Sequence, residues 1–155
     1  MKLLEKPFAD YLRDARAGIG FLLVVALIRF LMKPVFQVPY DRGTNFTSLT
    51  ILLPMVMVIY TVRVMRTGGT YRDLLGYAAA LSLSTISFVI VAIAVDDFGG
   101  IDTYYTDLLH GGALNPWAHM GGHVIEAIAL SLVLWGLGSL IYAAGRGRKK
   151  AVARA

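Results

Sequence analysis

Four long apolar runs punctuate this chain: about residues 18–38, 46–62, 74–95 and 116–144. At ~1.5 Å per helical residue, such a run matches the roughly 30 Å hydrocarbon layer of a bilayer. The second is the shortest and carries Pro54 near its middle, where a kink is expected. Charged residues make up only 16% of the 155 residues and hydrophobic ones 57%, against about a quarter charged in a soluble domain. A single small core cannot hide that much apolar surface, so lipid is the expected solvent. The fold class read from this pattern is all-α integral membrane, a four-helix transmembrane bundle forming one domain over residues 1–155.

The connections fix an orientation. The N-terminal segment holds Lys2, Lys6, Arg13 and Arg16, and the loop after the second run holds Arg63, Arg66 and Arg72. The tail over residues 145–155 holds five more basic residues, whereas the first loop has only Arg42 and the third has none. Basic residues mark the cytoplasmic side, so both termini are expected inside, in a membrane such as the bacterial inner membrane. The net charge of +5 then reads as topology and attraction to anionic lipid, not as a nucleic-acid surface. The first run is interrupted by Arg29 and Lys33 and lacks a small-residue cleavage site, so it reads as a retained span and not as a signal peptide.

Outside the spans, Leu4, Phe8, Tyr11 and Leu12 fall on one helical stripe among basic residues. This predicts an N-terminal amphipathic helix lying on the inner leaflet. Thr70 followed by Asp73 resembles a capping box for the third span. The long outer loop carries Asp96, Asp97, Asp102 and Asp107. Asp102 is placed to cap a short extracytoplasmic helix through Tyr104, Tyr105, Leu108 and Leu109, stopped by Gly111 and Gly112. Asn115-Pro116 reads as a cap followed by proline at the first helical position, with Trp117 as an interfacial anchor.

The chemistry-bearing residues concentrate at the outer end. All three histidines, His110, His119 and His123, lie within one short stretch. On a helix begun at Pro116, His119, His123 and Glu126 stand at i, i+4 and i+7 and share a face. Two imidazoles and a carboxylate suit a transition metal. One imidazole would suffice as axial ligand for haem or a chlorophyll-type pigment, and His110 is a further cofactor-binding candidate. Two charges sit inside the apolar runs. Arg29 in the first and Glu126 in the fourth are costly in hydrocarbon unless they meet protein or a cavity. They are therefore read as an intramembrane pair, either fixing helix register or serving transport, while Arg29 and Lys33 together would suit an anion or lipid headgroup.

The chain has no cysteine, which excludes disulfides, thiol catalysis and cysteine-ligated clusters. It also lacks metalloprotease, serine-hydrolase and phosphate-loop motifs. Three functional classes follow. The first is an accessory subunit of a larger membrane complex, of the electron-transfer or pigment-bearing kind, surrounded by lipid and other transmembrane subunits. The second is a small homo-oligomeric transporter or channel using Arg29 and Glu126. The third is a membrane metalloenzyme built on His119, His123 and Glu126. The absence of a known catalytic motif leans against an enzyme.

Overall fold

The computed structural model of the protein describes residues 3–43, 47–107, 110 and 115–152, with side chains as far as residue 146. The described residues are helical with no strand: α1 (Phe8–Leu31), α2 (Tyr40–Gly43), α3 (Leu49–Thr67), α4 (Tyr71–Gly99) and α5 (Pro116–Val152). Three of these are long and apolar enough to cross a membrane: α3, α4 and the Pro116–Arg146 part of α5. The chain is thus an all-helical protein with three candidate membrane-spanning helices. Asp14, Arg16 and Arg29 lie within α1, and these charges keep the expected first span out of that group.

The helix ends follow from local chemistry. Pro7 precedes α1 with its backbone extended, and Pro34, which removes a donor and disfavours helix before it, follows the last turn closely. Gly68 ends α3 and Gly100 ends α4, both left-handed at φ 72° and 62°, the conformation glycine adopts without steric cost. The expected capping box is present at the start of α4. Thr70 accepts from the Arg72 amide at 3.2 Å, and its own amide donates to Asp73 at 2.9 Å. At the start of α5, Asn115 accepts from the Trp117 amide at 3.0 Å.

Two expected elements are replaced. Among the described residues no separate interfacial helix precedes α1: residues 8–17 are its opening turns, with Tyr11 and Ala15 fully buried in the core. The stripe that looked lipid-facing instead packs against α4, because Tyr11 donates to Asp73 at 2.9 Å and meets Tyr77 edge to face. The expected helix from Asp102 is also not formed over residues 103–107, which run as turns and bends. Asp102 has φ 60°, outside the range of a cap residue entering a helix, and Leu108, Leu109, Gly111 and Gly112 lie outside the described residues. The short helix is α2, in the first connection. The apolar runs are also offset: α1 stops seven residues before the expected end of the first span, while α3 continues through Pro54 to Thr67.

Helix α4 is central, packing against α1, α3 and α5. Its small residues allow close approach: Ser82 donates across to the Ala127 carbonyl at 2.8 Å. The main core joins Leu22, Leu53, Met57, Leu74, Leu81 and Leu134 with a tyrosine cluster in which Tyr60 stacks on Tyr77 at 5.0 Å. A second, smaller core around Val89, Ile93, Tyr105 and Met120 lies toward the other end. The outer surface of α5 stays apolar and exposed at Ile125, Ile128, Leu132, Val133 and Leu140.

Packing against α4 predicts a contrast between two helical glycines. A Cβ at Gly76 would sit 2.4 Å from the Tyr11 ring, which its hydrogen bond holds in place, whereas one at Gly136 meets nothing within 4 Å. Gly76→Ala should destabilise the protein by about 1–3 kcal/mol through overpacking, and Gly136→Ala should be neutral or slightly stabilising. Thermal unfolding in detergent measures both; equal effects would contradict this packing.

Candidate metal centre

The loop after α4 reaches the bundle because Asp96 holds it there. This carboxylate, in the last turn of α4 and 2% exposed, accepts from the Thr103 amide at 2.9 Å and from the Thr103 and Thr106 hydroxyls, both at 2.5 Å. A buried carboxylate without such donors would be expensive. With them, it folds residues 101–106 back over the helix end. Two aromatic side chains then lock the loop inward. Tyr104 donates to the carbonyls of Val38 and Pro39, at 2.6 and 2.7 Å, and Tyr105 donates to the Ala26 carbonyl at 3.1 Å. Gly43 must be glycine for this docking, since a Cβ there would lie 2.2 Å from the Tyr104 hydroxyl. Burial pushes both phenols above their ordinary range, so they remain neutral donors.

The loop thereby delivers His110 to α5. Its ring centroid lies 5.6 Å from that of His119 and 5.5 Å from that of His123, and the latter two are 5.1 Å apart. One nitrogen from each imidazole lies within 4.8 Å of the other two. The Nε2 atoms of His110 and His119 are buried without a hydrogen-bond partner. Such orphaned nitrogens normally find a partner in a folded interior. The Nδ1 of His123 lies 2.5 Å from the Glu126 carboxylate. With the carboxylate accepting, Nδ1 carries the proton and the lone pair is left on Nε2.

Glu126 therefore stands behind the histidines and not beside them. The i, i+4, i+7 stripe placed it as a third ligand, but the structure gives that position to His110 and leaves Glu126 orienting His123. Sequence reasoning could bring His119 and His123 together from helical spacing alone. Placing His110 among them required the loop's return path, for which the only sequence signal was its nearness to two other histidines.

Arg29 and Glu126 line the same cavity, of about 240 Å³, with Tyr40, Ser48, Thr50, Tyr105 and His123 among its walls. They are not joined as an ion pair: Glu126 pairs with His123. Arg29, 7% exposed, instead lies among aromatic rings, its guanidinium carbon 5.8, 5.9 and 5.6 Å from the centroids of Tyr40, Tyr104 and Tyr105, within reach of cation–π attraction. Lys33 bridges to Asp102 at 2.5 Å and Asp107 at 3.7 Å, tying the end of α1 to the loop after α4. No protein-family model matches the chain, and no curated protein or solved structure matches it.

The His110 imidazole is held neutral. Burial first, then the positive field of Arg29 and the neighbouring histidines, pushes His110 down to about 4. Its folded value lies below the ordinary value of about 6.5, so the unfolded chain binds the proton more readily in this window. The resulting stability is present above about pH 6.5 and is lost as pH falls toward 4. Thermal unfolding in detergent between pH 7.5 and 4 should show this loss, and His110→Gln should flatten it. A variant with the same pH slope as the parent would show that His110 does not carry the effect.

Proposed function

We propose that the protein is a four-span membrane metalloprotein holding a divalent transition metal through His110, His119 and His123 at the extracytoplasmic end of the bundle. The convergence of three imidazoles, two of which carry a buried, orphaned Nε2, carries this reading. Tetrahedral zinc with Zn–N near 2.0–2.1 Å brings donor nitrogens to about 3.4 Å from one another, a modest contraction of the present cluster. Glu126 supplies the outer partner that metal-bound histidines usually have, fixing the His123 tautomer and raising its basicity. Three protein ligands leave a fourth position, the arrangement of sites that activate a water or bind a substrate, whereas purely structural zinc sites are closed by four ligands.

Haem or a chlorophyll-type pigment suits this arrangement less well. A macrocycle takes its axial imidazole from above a flat ring, whereas here each imidazole faces two others. In the bilayer, α1 is read as the remaining span, its Arg29 sheltered by tyrosines and the cavity, with both termini cytoplasmic as the basic residues direct. A second reading, as a subunit of a larger membrane complex, draws on α5. Only 22% of its most apolar stretch is buried, so it offers a long face to lipid or to other transmembrane helices. Native mass measurement in mild detergent separates lipid from protein on that face.

Elemental analysis of protein purified without chelator should find about one zinc-class ion per chain. Each of His110→Ala, His119→Ala and His123→Ala should lose most of it, because each removes one of three ligands. Glu126→Gln should keep the metal with roughly 10–100-fold weaker affinity. Occupancy should fall as pH drops through the histidine range, since the ligands must be neutral. A folded, metal-free protein that takes up no added zinc, cobalt or copper would refute the metal centre. Independently, cysteines placed at Thr106 and Ala155 should be labelled from opposite sides by an impermeant reagent; labelling from one side only would refute the four-span topology.

A further inference from the structure

We propose that the cavity beside the histidines binds a phosphate-type oxyanion, held by Arg29 and the N-terminus of α3. The inference deepens the metal reading, on which it rests only for a second anchor to the ligand.

Three observations converge. Arg29 is more than nine-tenths buried, yet among the described residues it has no ion pair and no side-chain hydrogen bond. Tyrosine faces soften the cost of burying this cation but supply no countercharge. Of the carboxylates in this region, Asp102 and Asp107 hold Lys33 and Glu126 holds His123, and Asp41, which acts on the neighbouring Tyr104, forms no ion pair with Arg29. A buried cation that lines a cavity and lacks a protein anion calls for one from outside.

The first turn of α3 enters the same cavity, through Ser48, Leu49 and Thr50. Ser48 stands at the cap position, but its hydroxyl makes no capping hydrogen bond. The amides of Leu49 and Thr50 find no acceptor among the described residues, as is usual for the first helical positions. Free amides and the positive end of a 19-residue helix favour an anion.

The donors are numerous and diverge. A planar guanidinium presents several N–H groups, and the helix start adds two amides and the Ser48 and Thr50 hydroxyls. A tetrahedral anion with three or four acceptor oxygens uses such a set more fully than a single carboxylate or a halide. The histidine-bound ion, facing the same space, would take one of the remaining oxygens. The Glu126 carboxylate also lines the cavity and repels an anion, but His123 shares its charge. The ligand is thus a phosphate or phosphate monoester, either free in solution or the headgroup of an anionic lipid entering from the outer leaflet.

Isothermal titration of the full-length protein in a zwitterionic detergent tests this with two probes, inorganic phosphate and short-chain dihexanoyl phosphatidic acid. Saturable binding of inorganic phosphate identifies a free anion as sufficient; binding of the lipid probe alone identifies a headgroup site. Either result should weaken at least 10-fold in Arg29→Gln and recover partly in Arg29→Lys. Arg63→Gln, which removes a charge elsewhere, should bind like the parent. Helicity and gel filtration check the folding of each variant. Should Arg29→Gln fail to fold, the double substitution Ser48→Ala, Thr50→Val carries the test, with binding expected to fall at least 3-fold. Failure of the parent to bind either probe, or undiminished binding in a folded Arg29→Gln or in the double variant, overturns the proposal. Repeating the titration on chelator-stripped protein separates it from the metal reading. Arg29-dependent binding in a chain that never takes up metal refutes the metal centre alone, and a zinc-loaded chain that binds neither probe refutes the anion site alone.

Discussion

Lipid offers no hydrogen-bond partner, so a polar group that enters a membrane bundle has to be met by protein or by a water-filled space. The two ends of α4 show how this rule organises the chain. At one end Asp73 closes the capping box and accepts from Tyr11, which draws the first turns of α1 down onto the helix. At the other end Asp96 gathers three donors from the returning loop. Each carboxylate converts a connection that could lie anywhere on the surface into a fixed part of the core. Asp96 places Thr103, hence Tyr104 and Tyr105 after it, and through them the segment that carries His110. The histidine cluster is therefore a consequence of how one buried carboxylate is satisfied.

The parts of this fold that were legible in sequence are those set by local rules. Apolar runs located α3, α4 and α5, though α3 and α5 run past the expected ends, to Thr67 and Val152, and Thr70, Asp73, Asn115 and Pro116 marked helix starts correctly. What was not legible depended on which surface a residue meets in three dimensions. The stripe of Leu4, Phe8, Tyr11 and Leu12 is equally consistent with a leaflet surface and with a neighbouring helix. Only the Tyr11–Asp73 bond, between residues 62 apart in sequence, decides between them. Asp102 has the right residue type for a cap. Its neighbour Thr103, however, is claimed by Asp96, and the loop turns inward before a helix can begin.

The site was legible to the same degree. Helical spacing alone put His119, His123 and Glu126 on one face, and that much holds. Spacing does not say which of three aligned side chains points at a shared centre and which points at its neighbour. An i, i+3 contact lets the Glu126 carboxylate reach the His123 ring directly, and once it does so its oxygens face imidazole instead of a common point. The pairing of Arg29 with Glu126 rested on compatible depth, which is necessary for contact but not sufficient. Each charge found a nearer solution, Glu126 in His123 and Arg29 in three tyrosine rings.

Those separate solutions set the charge balance of the cavity beside the histidines. The charged side chains lining it are Arg29 and Glu126, the latter bonded to His123. A divalent ion at the proposed centre adds two positive charges in a space where effective dielectric is low and Coulomb terms are correspondingly large. Glu126 would offset part of this through its bond to His123. The remaining imbalance is met most directly by an anion that reaches both the ion and the guanidinium, and a phosphate dianion has the charge and the spread of oxygens to do so. In the proposed site the metal and the anion would then stabilise each other. Because that coupling is a single free energy, whatever factor the metal contributes to anion affinity the anion returns to the metal. In the proposed site Arg29 would strengthen anion binding without competing for the histidines, which would give its burial without a carboxylate partner a physical reason.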